Sequence, residues 1–280
     1  MKKKQVFIAG CGYVGCELAR QLMSRGDVDV WGLRRNTKAL PAGVHPIQGD
    51  LAIAKTFDSW PVSIDYVIYC LAAKDHTEAS YRQAYLQCLD NLICLLEKEN
   101  QQPKRILFTS STGVYHQSGG VWVNESSTTE PKNYAGQIML EAENLLKQAP
   151  FPSTAIRFGG IYGPDRIRLL NRAKEGVGCY AEPPVYGNRI HRDDCAGILA
   201  HLLMISAAEL PIQPVYLGVD NDPAPIYDVL QWLANKEGTT LNNDNPPPAR
   251  GNKRCDNALI RSTGYRFHYP DYRSGYANGC

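Results

Sequence analysis

The sequence predicts an α/β fold, a doubly wound parallel sheet with a smaller C-terminal lobe, and three observations carry that expectation. Apolar runs at 6–9, 28–33, 66–71, 106–110 and 154–158 alternate with segments of helical periodicity, the rhythm of parallel strands joined by crossover helices. The first run drives straight into Gly10-Cys11-Gly12-Tyr13-Val14-Gly15, a turn rich in glycine between a strand and a helix. Beyond residue 160 the rhythm loosens, Gly and Pro become frequent, and a loop at 242–250 carries Pro246-Pro247-Pro248. We therefore divide the chain at 1–165 and 166–280, the second part a smaller lobe with long connections, interleaved with the first.

Taken in order, the strand at 6–9 ends at Gly10, which makes a tight turn. Gly12 lets the backbone approach a pyrophosphate, and Gly15 lets the following helix pack closely on the strand. That helix spans 13–25 and is closed by Gly26. Its first residues, Tyr13 and Val14, present the positive end of the helix dipole to the pyrophosphate of a dinucleotide. The second strand ends in Arg34-Arg35-Asn36, about twenty residues on, where NAD-binding chains place an acid on the ribose 2′-hydroxyl. A guanidinium there pairs with a 2′-phosphate, so the expected cofactor is NADP(H), with NAD(H) second. The alternative is a pair of solvated arginines at a strand end.

A helix at 80–99 carries Tyr81, Tyr85, Cys88, Leu92 and Leu95 at core-facing spacing, read as a packing stripe despite the tyrosines. In open α/β sheets ligands bind beyond the carboxyl ends of the strands. Three segments fall there: Thr109-Ser110-Ser111-Thr112-Gly113-Val114-Tyr115, Tyr134 at the start of a helix over 134–147, and Arg157-Phe158-Gly159-Gly160-Ile161-Tyr162-Gly163-Pro164. Hydroxyls beside a nicotinamide hold a substrate carbonyl and relay its proton. For Ser110 and Ser111 the competing reading is turn chemistry, serine bonding its own backbone.

Composition sets the outer limits. The chain has 280 residues, 44% hydrophobic and 21% charged, with a net charge of +2, an ordinary globule with no electrostatic reason to bind nucleic acid or an anionic membrane. No window reaches the ~20 apolar residues of a membrane span. Met1-Lys2-Lys3-Lys4 reads as a solvated end rather than a signal peptide, because Gly10 and Gly12 break the run behind it. Nine cysteines without paired spacing imply no metal site and a reducing, cytoplasmic setting.

The glycine motif, Gly49-Asp50-Leu51 after the third strand, Ser110-Ser111-Thr112-Gly113-Val114-Tyr115, the Tyr134 helix, Arg157 to Pro164, and Arg189-Ile190-His191-Arg192-Asp193-Asp194 stand in a fixed order. Together they resemble the extended short-chain dehydrogenase/reductase superfamily, which contains the sugar-nucleotide epimerases and dehydratases, over roughly residues 6–275. The resemblance implies a Rossmann fold, Ser111 as the catalytic Ser/Thr, and Tyr134 as the catalytic Tyr. It also implies that Asp50 and Leu51 touch the adenine, that Ala72 and Ala73 line the pyrophosphate and ribose, and that Ser110 and Phe158, Gly159 and Gly160 edge the nicotinamide. Pairing of two copies through the helices from 80 and 134 follows the same resemblance.

Two departures bear on chemistry. The family's Tyr-x-x-x-Lys is here Tyr134-Ala135-Gly136-Gln137-Ile138, with Lys132 and Lys147 the substitutes by type. The Asp-Glu pair of the dehydratases is replaced by Thr112-Gly113, which disfavours dehydration. A tyrosine without an adjacent cation is a better proton donor than base. The expectation is an NAD(P)-dependent oxidoreductase or epimerase-like enzyme of the atypical kind, acting on a small carbonyl or sugar-like substrate. The rival is a non-catalytic NADP(H) sensor that signals to a protein partner. Among the remaining residues, Asp194 is read as the cap of a helix over 196–205, His116 as an exposed loop histidine, Glu125 and Glu130 as solvated, and Lys253-Arg254 as a clamp for an anionic substrate group.

Overall fold

The computed structural model describes residues 3–53, 61, 63–247, 251–278 and 280. Met1 and Lys2 of the basic start, and Pro248 and Arg250 of the proline loop, lie outside them. Seven parallel strands form the central sheet: β1 (Lys4–Ala9), β2 (Val28–Arg34), β3 (His45–Gln48), β4 (Tyr66–Tyr69), β5 (Arg105–Ser111), β7 (Ser153–Phe158) and β10 (Val215–Gly218), in the order β10-β7-β5-β4-β1-β2-β3. Two short parallel pairs lie outside the sheet, β6 (Val121–Val123) with β11 (Lys253–Cys255) and β8 (Gly160–Tyr162) with β9 (Arg189–His191). This is the doubly wound Rossmann sheet. The strand order turns back on itself between β1 and β4, which opens a crevice at their carboxyl ends. β10 comes from beyond residue 166 and pairs with β7 at the edge of the sheet.

Both sheet faces are covered, which is why the strands read as continuous apolar runs. Alternate side chains divide between two cores. Phe7, Ala9, Val67, Tyr69 and Phe108 pack with α3 (Cys88–Lys98) and α4 (Tyr134–Gln148). Val6, Ile8, Ile68, Leu107 and Ile156 pack with α1 (Tyr13–Met23) and α6 (Arg192–Ala207). Each fully buried Phe or Ile among them contributes about 1.5–3 kcal/mol. A third cluster, Tyr162, Ala173, Val229, Leu230, Leu233 and Tyr276, holds α5 (Arg168–Lys174), α7 (Ile226–Glu237) and α9 (Tyr272–Asn278) together. α8 (Ala258–Ser262) packs beside β10.

Several local expectations change. The helix expected over 80–99 begins earlier, as α2 (Glu78–Arg82), and passes through a π turn at Gln83–Gln87 before α3. The extra residue in that turn rotates the stripe. Ala84, Cys88, Leu89, Leu92, Ile93 and Leu96 are buried, whereas Tyr81 and Tyr85 are only half-buried. Asp194 does not cap α6. His191 does, its Nδ1 accepting from Asp193 N at 3.2 Å. Asp194 is instead buried and accepts from Tyr265 Oη at 2.8 Å, His268 N at 2.7 Å and Tyr269 N at 2.8 Å, tying the 265–269 segment to α6. Glu125 is half-buried rather than solvated, and its carboxylate accepts from Leu217 N at 2.8 Å.

Candidate functional site

A cleft of about 1650 Å³ lies beyond the carboxyl ends of β1, β2, β4, β5 and β7, where the strand order reverses. Gly10 turns into it with φ +87°, and a Cβ there would stand 2.7 Å from Leu71 N. A Cβ on Gly12 would meet only Gly10 O, at 3.9 Å, so this stretch of backbone faces open space. Gly15 does not line the cleft. A Cβ there would press on Gly10 O at 2.9 Å and Ile8 Cγ2 at 3.1 Å, so its role is close packing of α1 on β1. No side chain caps α1, which leaves the N–H groups of its first turn, at Tyr13 and Val14, for an anion. These features fit a dinucleotide pyrophosphate. The Tyr13 ring closes one wall, its hydroxyl donating to Pro164 O at 2.7 Å and Arg166 lying over its face at 4.2 Å. Burial pushes that phenol up to about 12.

At the end of β2 no acid faces the cleft from the Arg34-Arg35-Asn36 segment. Arg34 is half-buried, its Nη1 3.4 Å from Cys11 O and 3.6 Å from Cys16 Sγ, while Arg35 is exposed and 3.9 Å from Asp50 Oδ2. A hydrogen bond from Cys11 and the charges of Arg34 and Arg20 hold the Cys16 thiol below the ordinary range. Asp50 and Leu51 line the same end, with Asp50 Oδ1 accepting from Ala52 N at 3.0 Å and Leu51 O from Asn91 Nδ2 at 2.7 Å. Ala72 lines the cleft and Ala73 does not.

The other half is built on a buried ion pair. Arg157 and Glu143 meet bidentately, Nε to Oε1 at 3.0 Å and Nη2 to Oε2 at 2.7 Å, with side chains 6% and 9% exposed. Ser110 Oγ donates to Glu143 Oε1 at 2.5 Å and Arg157 Nη1 to Tyr115 Oη at 2.8 Å. Burial pushes the Tyr115 phenol up to about 12, partly offset by Arg157. The Ser110 hydroxyl is thus committed to structure. Ser111 Oγ accepts from Gly113 N at 3.0 Å, capping the Thr112–Val114 turn, so turn chemistry and a cleft-facing hydroxyl coexist in one residue. α4 reaches this turn because Gly136 has no side chain. A Cβ there would lie 2.5 Å from Gly113 O. That approach brings Tyr134, the first residue of α4, into the cleft with Ser111.

Tyr134 Oη donates to His76 O, and its ring meets that of Tyr81 edge to face at 5.7 Å. Ile138, at the position of the absent lysine, is fully buried. Lys132 lines the cleft but Lys147 does not. Phe158, Gly159 and Gly160 line it as expected of a nicotinamide edge, Gly160 N donating to Asn188 O at 2.9 Å. His116 is half-buried and lines the cleft, its Nδ1 accepting from Glu130 N at 3.3 Å, rather than standing exposed.

Arg254 does not line the cleft. Its Nε donates to Gly120 O at 2.6 Å and its guanidinium lies 4.9 and 4.8 Å from the Trp122 and Tyr186 ring centres. Lys253, its neighbour, faces the cleft. Tyr81 and Tyr85, expected to be part of a packing stripe, line the cleft, as do Asn188 and Tyr276, which no motif in the sequence marks. The two tyrosines sit at ordinary helical spacing, and nothing in their local pattern marks the extra residue of the π turn. Among the described residues no three His, Cys, Asp or Glu side chains gather as metal ligands, and no helix is long and apolar enough to cross a membrane.

A family model described as NAD(P)H-binding matches residues 10–205. The chain belongs to that family. Within it, the chain is of the extended short-chain dehydrogenase/reductase kind, as its structural relatives show. A solved structure from Methylobacillus flagellatus, described as a candidate NAD-dependent epimerase/dehydratase, is 38% identical, with 98% of this chain and 96% of that one covered and a TM-score of 0.81. Protein YeeZ of Escherichia coli (strain K12) is 27% identical over 212 residues, 71% of this chain and 73% of YeeZ. The human epimerase family protein SDR39U1, solved with NADPH, shares the fold at 19% identity and a TM-score of 0.77, over 96% of this chain and 97% of that one.

Proposed function

We propose that this chain is an NADP(H)-dependent oxidoreductase that reduces a small carbonyl compound in the cleft. The observation that carries the reading is the state of Tyr134. Its hydroxyl already donates to a carbonyl oxygen, that of His76, and Ile138 stands one helical turn on, where a lysine would draw the proton off. A substrate carbonyl oxygen that displaces the His76 oxygen receives the same hydrogen bond. Ser111 accepts from Gly113 N, so its own hydroxyl proton is available to the same substrate oxygen.

The uncapped start of α1 and the open backbone at Gly12 hold the pyrophosphate, and Arg34 pairs with a 2′-phosphate in preference to a bare hydroxyl. When bound, the reduced dinucleotide supplies hydride to the carbonyl carbon. Tyr134 Oη releases its proton to the carbonyl oxygen and recovers one from water in the cleft. Reduction suits this arrangement better than epimerisation, which needs the tyrosine first as a base.

The test is a panel of aldehydes and ketones with NADPH, followed by loss of nicotinamide absorbance. Tyr134→Phe should lower turnover by ~10²-fold or more while leaving NADPH affinity unchanged. Turnover that survives the substitution removes Tyr134 from the reaction. Tight NADPH binding with no carbonyl reduced would turn the reading to a cofactor sensor.

A further inference from the structure

The cleft wall holds a buried lysine that no carboxylate neutralises among the described residues. Lys253 is 4% exposed, and its Nζ makes one hydrogen bond, to Tyr115 O at 3.3 Å. Among the described residues no carboxylate lies within ion-pair distance of it. Its backbone is clamped on both sides. Asn188 Nδ2 donates to Lys253 O at 2.9 Å and Asn188 Oδ1 accepts from Cys255 N at 2.7 Å, while β11 pairs Lys253 with Val121. The side chain is therefore aimed rather than free to snorkel to solvent.

Two further observations point to a ligand at Nζ. A Cβ on Gly251 would lie 3.3 Å from the ammonium, and Gly251 itself lines the cleft, so the missing side chain leaves room directly at the charge. Burial pulls the ammonium below the ordinary lysine range, and the neighbouring Cys255 thiol offsets this only in part. A buried ammonium without a counter-charge is costly, and an incoming anion relieves that cost. The other buried cation of this wall, Arg189, already donates to Asp222 O at 3.3 Å and Ala224 O at 3.5 Å.

We propose that Lys253 is the anchor for a carboxylate carried by the substrate. It rests on the oxidoreductase reading only in naming the rest of that substrate a carbonyl compound. Charge balance selects a carboxylate over a phosphate dianion, because one buried ammonium offsets one negative charge. Tyr115, whose carbonyl Lys253 touches, follows Ser111 by a single 3₁₀ turn at Thr112–Val114. With their two anchors joined by so short a stretch of chain, we take the carboxylate and the reacting carbonyl to belong to one short oxo acid.

The probe is oxamate, an oxo-acid mimic that accepts no hydride, with oxamide as its neutral counterpart and inorganic phosphate as the third arm. Affinities are measured by calorimetry on protein saturated with NADP⁺, so no turnover is required. Oxamate should bind at least ~10-fold more tightly than oxamide, and Lys253→Met should abolish that preference while leaving NADP⁺ affinity intact. Independently, oxamate but not oxamide should slow acetylation of Lys253 in the wild-type chain, read by peptide mass spectrometry, which holds even if the variant does not fold.

Equal affinity for oxamate and oxamide, or a preference that survives Lys253→Met, overturns the anchor. Phosphate binding more tightly than oxamate overturns the carboxylate in favour of a phosphorylated substrate. Anion binding through Lys253 with no carbonyl ever reduced would instead overturn the oxidoreductase reading and leave the anchor standing.

Discussion

Glu143→Leu tests the account of how the substrate half of the cleft is held. The substitution keeps side-chain bulk and removes the charge, leaving Arg157, 6% exposed, without the two hydrogen bonds at 3.0 and 2.7 Å that neutralise it. Removing one partner of a buried pair costs about 3–5 kcal/mol, because the other charge is stranded. That is a large part of a total stability of about 5–15 kcal/mol. With a urea m-value of about 3 kcal/mol/M, the unfolding midpoint should fall by about 1–1.7 M at constant slope. The double variant Glu143→Leu/Arg157→Met removes both charges and should recover most of the loss, short by about 1 kcal/mol for each hydroxyl left unpaired, at Ser110 and Tyr115. Tryptophan fluorescence and far-ultraviolet circular dichroism through a urea series supply the three free energies of the cycle. A single variant within 1 kcal/mol of wild type, or a double variant equal to the sum of the singles, would refute the stranded-charge argument.

Two other outcomes follow from the same geometry. Arg34→Ala should weaken NADPH binding by roughly 10- to 100-fold, the worth of a charge-assisted hydrogen bond, and leave NADH affinity unchanged in calorimetric titration; equal losses for both would remove Arg34 from the 2′ position. Asp220 is buried with one carboxylate oxygen unpartnered, and burial holds its carboxyl well above the ordinary range. The folded chain therefore binds this proton more tightly than the unfolded chain does, and the group lowers stability as pH rises from the ordinary carboxyl range toward the folded value. Asp220→Asn should flatten that slope in urea midpoints measured between pH 4 and 8, and an unchanged slope would show that the carboxyl does not titrate with folding.

Much of the architecture was open to reading because it rests on local rules. The glycine motif, the alternation of apolar runs, and the absence of an acid after β2 each depend on residues near one another in the chain, and the structure brings Gly10, Gly12, Arg34, Ser111 and Tyr134 to one cleft. β10 escaped because Val215–Gly218 is short and follows the loosened stretch of sequence. The π turn escaped for a different reason. Its one extra residue is stabilised by packing of Tyr85, Leu86, Cys88 and Leu89 against the sheet and α4, and periodicity alone assigns those residues to an uninterrupted helix.

The polar residues divide more sharply. Asp194 stands where a cap is expected, and it captures the 265–269 segment instead because the fold folds that distant segment back onto α6. Lys253 and Arg254 are adjacent and equally charged, yet one faces the cleft and the other is spent on Gly120 O and two rings. By itself the sequence determined the sheet, its helices and the end of the sheet where a dinucleotide belongs, since backbone propensity and hydrophobic period are properties of neighbouring residues. Only the tertiary structure decided which hydroxyl is committed to Glu143, which tyrosine meets a carbonyl, and which cation is buried without a carboxylate beside it among the described residues. Those choices depend on desolvation and hydrogen-bond geometry among groups that the chain separates by tens of residues or more, and no local pattern encodes them.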